Sequence, residues 1–270
     1  MQSTKYISSV QNPLIKKALL LKEKSRERKK TGLFLLEGMR ELQIAKGTGY
    51  DIVTIFYCEN ILTDAPNNTF LQSFSADTLI SVSAEVYKKM AHRDTTEGIL
   101  AIVKSKEHQL STLKFNNPDP LILIAEAPEK PGNIGALLRT ADAANLDAVL
   151  IANPKTDLYN PNIIRSSVGC IFSRNIKVGS TVEIINFLKK EGFLVYCAAL
   201  SASQEYTEVN FKGPTAIVVG TENSGLSEDW LEHSTQNIII PMEGEIDSMN
   251  VSVSAAILIF EAKRQRKLTN

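Results

Sequence analysis

Ile238-Ile239-Ile240-Pro241-Met242-Glu243-Gly244-Glu245-Ile246-Asp247-Ser248-Met249-Asn250-Val251-Ser252-Val253-Ser254-Ala255-Ala256 joins an apolar strand, a polar turn and the start of a helix. The spacing predicts a strand over Asn237–Ile240 and a helix over Val251–Gln265. Ser248 or Asn250 is expected to cap that helix, because a short polar side chain can accept from the free N–H groups of the first turn. Two such residues flanking Met249 exceed what one cap requires. Ser252, Ser254, Ala255 and Ala256 are small, so the helix can pack closely or leave room for a flat ligand.

Two earlier strand ends share this character. Ile217-Val218-Val219-Gly220-Thr221-Glu222-Asn223-Ser224-Gly225-Leu226-Ser227 runs an apolar strand into a loop bracketed by glycines. Glu222 can accept from a ligand, orient Arg139, or cap a helix that begins near Ser227. Earlier, Glu126–Thr140 turns at Pro131-Gly132 into a helix expected over Ile134–Ala144. There Asn133 is a candidate cap, and Arg139 either meets a phosphate at the helix start or pairs with a surface carboxylate. Ligands of open α/β sheets bind beyond the carboxyl ends of the strands, where all three segments fall. The chain has no Gly-x-x-x-x-Gly-Lys-Ser/Thr loop, and Gly132-Asn133-Ile134-Gly135 departs from the dinucleotide pattern Gly-x-Gly-x-x-Gly.

Outward from these turns the chain alternates. Strands are expected at Leu121–Ala125, Ala148–Ala152, Ile176–Val178, Phe193–Ala199 and Thr215–Val219, with helices at Ile163–Gly169 and Val182–Lys190 between them. Their continuous apolar character suits a parallel sheet covered on both faces. A smaller α/β series precedes it: a helix over Asn12–Arg28, a strand at Phe34–Gly38, a helix at Met39–Lys46, strands at Ile52–Cys58 and Ile99–Lys104, a weaker strand at Thr69–Phe74 and a helix at Ser83–Met90. Asn116-Asn117-Pro118-Asp119-Pro120 is the strongest loop signal. The expected organisation is residues 1–105 and 119–270 as domains, with 106–118 as linker.

The 270 residues carry 30 Lys+Arg and 30 Asp+Glu, a balance that conceals clustering. Nine cations lie between Lys5 and Lys30 against Glu23 and Glu27 alone, and Lys263, Arg264, Arg266 and Lys267 form a second group. Clustered cations displace counterions from a polyanion, although a solvated helix face reads the same way. Cys58, Cys170 and Cys197 fit reduced thiols in the cytoplasm. No apolar run reaches a membrane span's ~18 residues, and residues 1–10 show no secretory signal. His92, His108 and His233 are too scattered for a metal site, and no Gly-x-Ser-x-Gly elbow occurs.

Asn133-x-Gly135-x-x-x-Arg139-Thr140-Ala141, Gly220–Leu226 and Ile240-Pro241-Met242 through Ser248-Met249-Asn250-Val251-Ser252, in this order, resemble the SpoU/TrmH family of SPOUT RNA ribose methyltransferases. The likeness covers about residues 119–265. Ile7–Pro13, Phe34–Gly38 and Thr95–Ile99 resemble the family's L30e-like substrate-binding domain. Met249 replaces the usual leucine, a swap that conserves volume.

The resemblance implies an α/β fold whose C-terminal domain is a SPOUT α/β-knot, a deep trefoil with a mostly parallel sheet and Ile238–Arg264 threaded through the preceding loop. It implies S-adenosylmethionine held by Ala199, Leu200, Gly220, Ile240, Pro241, Met249 and Ser254, with no metal. Arg139, Asn133, Glu222, Ser248 and Asn250 would act on the ribose. Lys16, Lys17, Lys22, Lys24 and Arg40 would contact RNA, ribosomal RNA being favoured over transfer RNA, in a homodimer that engages no membrane. A noncatalytic RNA-binding protein on the same fold is the alternative; keeping all five ribose-side residues together weighs against it.

Overall fold

Asn12 starts the first helix as its sequence predicts: its Oδ1 accepts from the N–H of Leu14 at 2.9 Å, and Pro13 takes the first helical position. In this computed structural model, residues 5–62, 69–75, 78–92, 97–200, 203–221, 225–246 and 248–267 are described. The chain divides into two units, residues 1–107 with 157–173, and residues 108–156 with 174–270.

The first unit runs β1 (Lys5–Ile7), α1 (Pro13–Glu23), α2 (Ser25–Thr31), β2 (Leu33–Glu37), α3 (Met39–Gly47), β3 (Ile52–Tyr57), α4 (Thr69–Gln72), β4 (Leu79–Val82), α5 (Ala84–Met90) and β5 (Ile99–Lys104). Its sheet has the order β1-β4-β3-β5-β2, with β5 antiparallel to both neighbours. Ile15, Ala18 and Leu21 of α1 are buried against Phe56, Val86, Tyr87 and Leu100. Two more helices, α7 (Pro161–Ser166) and α8 (Cys170–Ser173), also belong to this unit.

The single helix expected over Asn12–Arg28 is broken at Lys24, whose φ of −113° and ψ of 109° are extended. The break lets Arg28 turn inward: its Nη1 donates to Leu21 O at 2.7 Å and Lys22 O at 3.2 Å, closing the end of α1. Its Nη2 reaches Asp157 Oδ2 at 2.6 Å, and both side chains are under a tenth exposed. Within the strand expected at Thr69–Phe74, Thr69–Gln72 is helical instead, and Phe70 meets Phe74 just beyond it edge to face at 5.3 Å, with Lys46 Nζ over the second ring.

The second unit comprises β6 (Leu121–Glu126), α6 (Pro131–Ala143), β7 (Ala148–Ala152), β8 (Ile176–Gly179), α9 (Thr181–Lys190), β9 (Leu194–Ala198), β10 (Gln204–Glu205), β11 (Thr215–Val219), α10 (Glu228–His233), β12 (Gln236–Ile239) and α11 (Val251–Lys267). The order β10-β12-β9-β11-β6-β7-β8 is parallel at every pairing. Every residue of β6, β7 and β11 is buried, as strands covered on both faces require. Ser180 and Glu183 close a capping box on α9. Two of the four C-terminal cations are engaged: Arg266 donates to Phe211 O, Asp119 O and Gly213 O, and Arg264 pairs with Glu261.

Removing Asp157 leaves the Arg28 guanidinium buried without its counter-charge, so Asp157→Ala should cost about 3 kcal/mol. Denaturant unfolding measures this; an unchanged midpoint and slope would show that the pair holds nothing.

Candidate active site

Parallel pairing aligns Val219 of β11 with Ala125 of β6, so Gly220 leaves the sheet beside Glu126, the last residue of β6. The turns after β9 and β12 open at the same edge, because Ile238 pairs with Ala198. Ala199, Leu200, Gly220, Ile240, Ser248, Met249 and Ser254 all line one cavity of about 490 Å³ there. Pro241 is exposed and does not line it. A smaller cavity of about 90 Å³ shares Gly220, Thr221 and Val251 with the first and adds Glu126, Lys130 and Asn133.

Asn133 is not the cap of its helix. Pro131 occupies the first helical position of α6 and Lys130 precedes it, which places Asn133 inside the first turn, where its side chain can reach another segment. It reaches Asn250, whose Nδ2 donates to Asn133 Oδ1 at 3.2 Å across 117 residues of sequence. Asn250 Oδ1 meanwhile accepts from Ser252 N at 3.0 Å and Ser252 Oγ at 2.6 Å, closing the start of α11. One side chain therefore both caps a helix and joins two motifs.

Gly220 is needed for space. A Cβ there would stand 2.1 Å from Gly225 O, because Thr221 and Gly225 pair backbone to backbone at 3.0 and 3.1 Å. Glu222 lies outside the described residues. Arg139 stands exposed on α6, lines neither cavity, and meets no carboxylate among the described residues. Ser248 is exposed on the cavity wall.

Glu126 is the site residue that sequence reasoning missed. It is 6% exposed. Its Oε1 accepts from Ser227 Oγ at 2.7 Å and Thr181 Oγ1 at 3.0 Å, and its Oε2 from Ser227 N at 2.8 Å. The carboxylate thus anchors Ser227, just ahead of α10. A charged residue closing an otherwise apolar strand was its only sequence signal. Burial, followed by the nearby Glu126 charge, pushes the Cys197 thiol up to about 12 and leaves it unreactive.

Of the expected RNA-contact residues, Lys16, Lys24 and Arg40 are exposed and Lys17 is half-buried. Lys22 Nζ donates to Ala91 O at 2.6 Å and Lys89 O at 3.3 Å, so it is held within its own unit. Among the described residues no three His, Cys, Asp or Glu side chains gather as a metal site, and no helix is long and apolar enough to cross a membrane.

Glu126→Ala would leave the Ser227 N–H and two hydroxyls without their acceptor, each loss of order 1–3 kcal/mol. Hydrogen exchange at the Ser227 amide should accelerate about tenfold or more; unchanged protection would show that the loop does not depend on Glu126.

The profile of the SpoU rRNA methylase family matches residues 120–260, and that of the MRM3-like substrate binding domain matches residues 12–101. The 23S rRNA (guanosine(2553)-2′-O)-methyltransferase RlmP of Bacillus subtilis is 29% identical over 259 residues, which cover 96% of this chain and 99% of that protein. A tRNA (guanosine(18)-2′-O)-methyltransferase of Thermus thermophilus is 38% identical over 156 residues, 57% of this chain and 79% of its own. A crystal structure described as an RNA 2′-O ribose methyltransferase superimposes with a TM-score of 0.84 at 38% identity, over 97% of this chain and 99% of the other. With a matched segment that holds all three strand-end motifs, the chain belongs to the SpoU rRNA methylase family.

Proposed function

We propose that this chain transfers a methyl group from S-adenosylmethionine to a ribose 2′-hydroxyl of ribosomal RNA of the 23S type. The observation that carries the reading is the cavity of about 490 Å³ enclosed by the turns after β9, β11 and β12 and by α11. Its neighbour, lined by Asn133, shares Gly220, Thr221 and Val251 with it. The volume falls within the ~300–1,000 Å³ of small-molecule sites. Leu200, Ile240 and Met249 offer apolar walls for an adenosine, and the strand ends at Gly220 and Ala199 offer backbone groups to its polar edge.

The bound sulfonium supplies an already activated methyl group, so alignment and proton removal remain for the protein. Asn133 and Asn250 hold each other in place and fix the ribose between the two cavities. Ser248 faces the cofactor cavity and orients the hydroxyl, with Glu222 completing the set. Arginine stays protonated at neutral pH, so Arg139 serves a phosphate or the developing alkoxide instead of taking the proton.

Ribosomal RNA is favoured because the 23S enzyme of B. subtilis aligns along both units, whereas the tRNA enzyme aligns with 57% of the chain. Lys16, Lys17, Lys24 and Arg40 contribute phosphate contacts on the first unit, and the work is done in the cytoplasm, where this RNA resides. A trefoil knot is part of the reading. Support for it comes from α11 returning from the β12 edge to pack on α6 and β11, with Arg266 at Asp119 O. Val253 and Phe260, half exposed and seven residues apart on one face of α11, form the surface on which two copies pair.

Arg139→Ala should lower methyl transfer to a transcribed 23S rRNA about a hundredfold or more, with cofactor affinity by calorimetry unchanged. Turnover near the parent level would remove Arg139 from the reaction. Phe260→Asp should shift the light-scattering mass from dimer to monomer; a monomeric parent protein would end the pairing assignment.

A further inference from the structure

We infer that α7 completes a phosphate-binding site for RNA on the first unit, with Arg165 at its rim and His92 and Lys22 beside it. The inference rests on RNA being the substrate, and it adds a contact outside residues 12–101, the segment matched to a substrate-binding domain.

The segment that carries α7 is fastened within the first unit at several points. Asp157 is the buried partner of Arg28. Tyr159 stacks on Phe34 at 4.4 Å, and Phe172 meets Tyr50 edge to face at 5.1 Å. Gly169 takes a left-handed φ of 83°, which a side chain would strain, and it sits against Ile44 and Glu41 of α3. Ile163 and Ile164 are buried, and Asn162 and Arg165 are thereby turned outward at a fixed place.

That place is a small cavity lined by Lys22, Leu35, Glu37, His92, Ile164 and Arg165. His92 is held there twice: its backbone N–H donates to Glu37 Oε2 at 2.7 Å, and its ring Nε2 lies 2.8 Å from Asn162 Oδ1. Lys22 is held by the carbonyls of Ala91 and Lys89, which fix its position without cancelling its charge. The Glu37 carboxylate already serves the His92 N–H. Arg165 is exposed and meets no carboxylate among the described residues. Two full cations and an imidazole thus surround one engaged carboxylate, a balance that attracts an anion.

The size of the cavity selects which anion. Its volume of about 20 Å³ holds little more than one water-sized group. A base or a sugar does not fit, whereas an oxygen of a phosphodiester does, with the rest of the strand passing over the rim. Arginine matches this role because its planar fork can give two parallel N–H donors to one phosphate.

The test uses the full chain and a transcribed 23S rRNA, with binding followed from about 50 to 200 mM salt. Arg165→Ala should weaken binding about tenfold and lower the slope of log K against log salt by roughly one, the share of one phosphate contact. Arg165→Lys should restore the slope while recovering only part of the affinity, and Asn162→Ala, which frees the His92 ring, should weaken binding by a smaller factor. Thermal melting and cofactor calorimetry should match the parent for all three, because α7 lies in the other unit from the cofactor cavity. Parent-like affinity and slope in both Arg165→Ala and Arg165→Glu would overturn the site. A parent protein that binds RNA but transfers no methyl group would instead overturn the proposed reaction, and a weakened Arg165→Ala would still support this contact.

Discussion

Parallel pairing of β11 with β6 is the constraint on which the site depends. With Val219 opposite Ala125, β11 ends one residue before β6, and Gly220, just past its strand, stands beside Glu126, the last residue of β6. Gly220 yields its side-chain space to the backbone of Gly225, and Glu126 fills the rest with a carboxylate that three donors saturate. An antiparallel neighbour would put one of these turns at the opposite edge, and the cavity would lose a wall.

A buried carboxylate is costly unless its lone pairs are met, and here they are met by groups from two other crossovers. Thr181 begins α9 and Ser227 precedes α10, so one charge orders the start of each helix. Thr181 Oγ1 in turn accepts from Asn153 Nδ2 at 2.9 Å, extending the network to the end of β7. Ala127 and Asn153, both just past strand ends, take φ values of 45° and 46°, a left-handed conformation that costs such residues of order 1 kcal/mol. The strain sits beside the cavities, where packing and hydrogen bonds hold it.

Much of the second unit was legible because buried parallel strands write themselves as short apolar runs, and the turns between them concentrate Gly, Pro and Asn. The gathering of Asn133, Gly220 and Asn250 at one edge followed from that alternation and from the order of the motifs. What the sequence concealed depends on partners far along the chain. Arg28 reads as one more surface cation of a basic helix until Asp157, 129 residues later, is seen to receive it. Glu126 reads as the end of a strand until Ser227 arrives. Asn133 reads as a cap because the pattern does not reveal that Pro131 starts the helix two residues earlier. The helix α7 reads as an ordinary crossover, and nothing local marks its place in the first unit.

Arg266 gives its guanidinium to carbonyls at Phe211, Gly213 and Asp119, the last of them 147 residues earlier. During synthesis, β6 therefore emerges long before the group that seals its approach. Until the ribosome has released the last turn of α11, three acceptors stay hydrated and the second unit stays open at that end. Assembly of this half therefore waits on α11, whose Arg266 is the donor that all three carbonyls need.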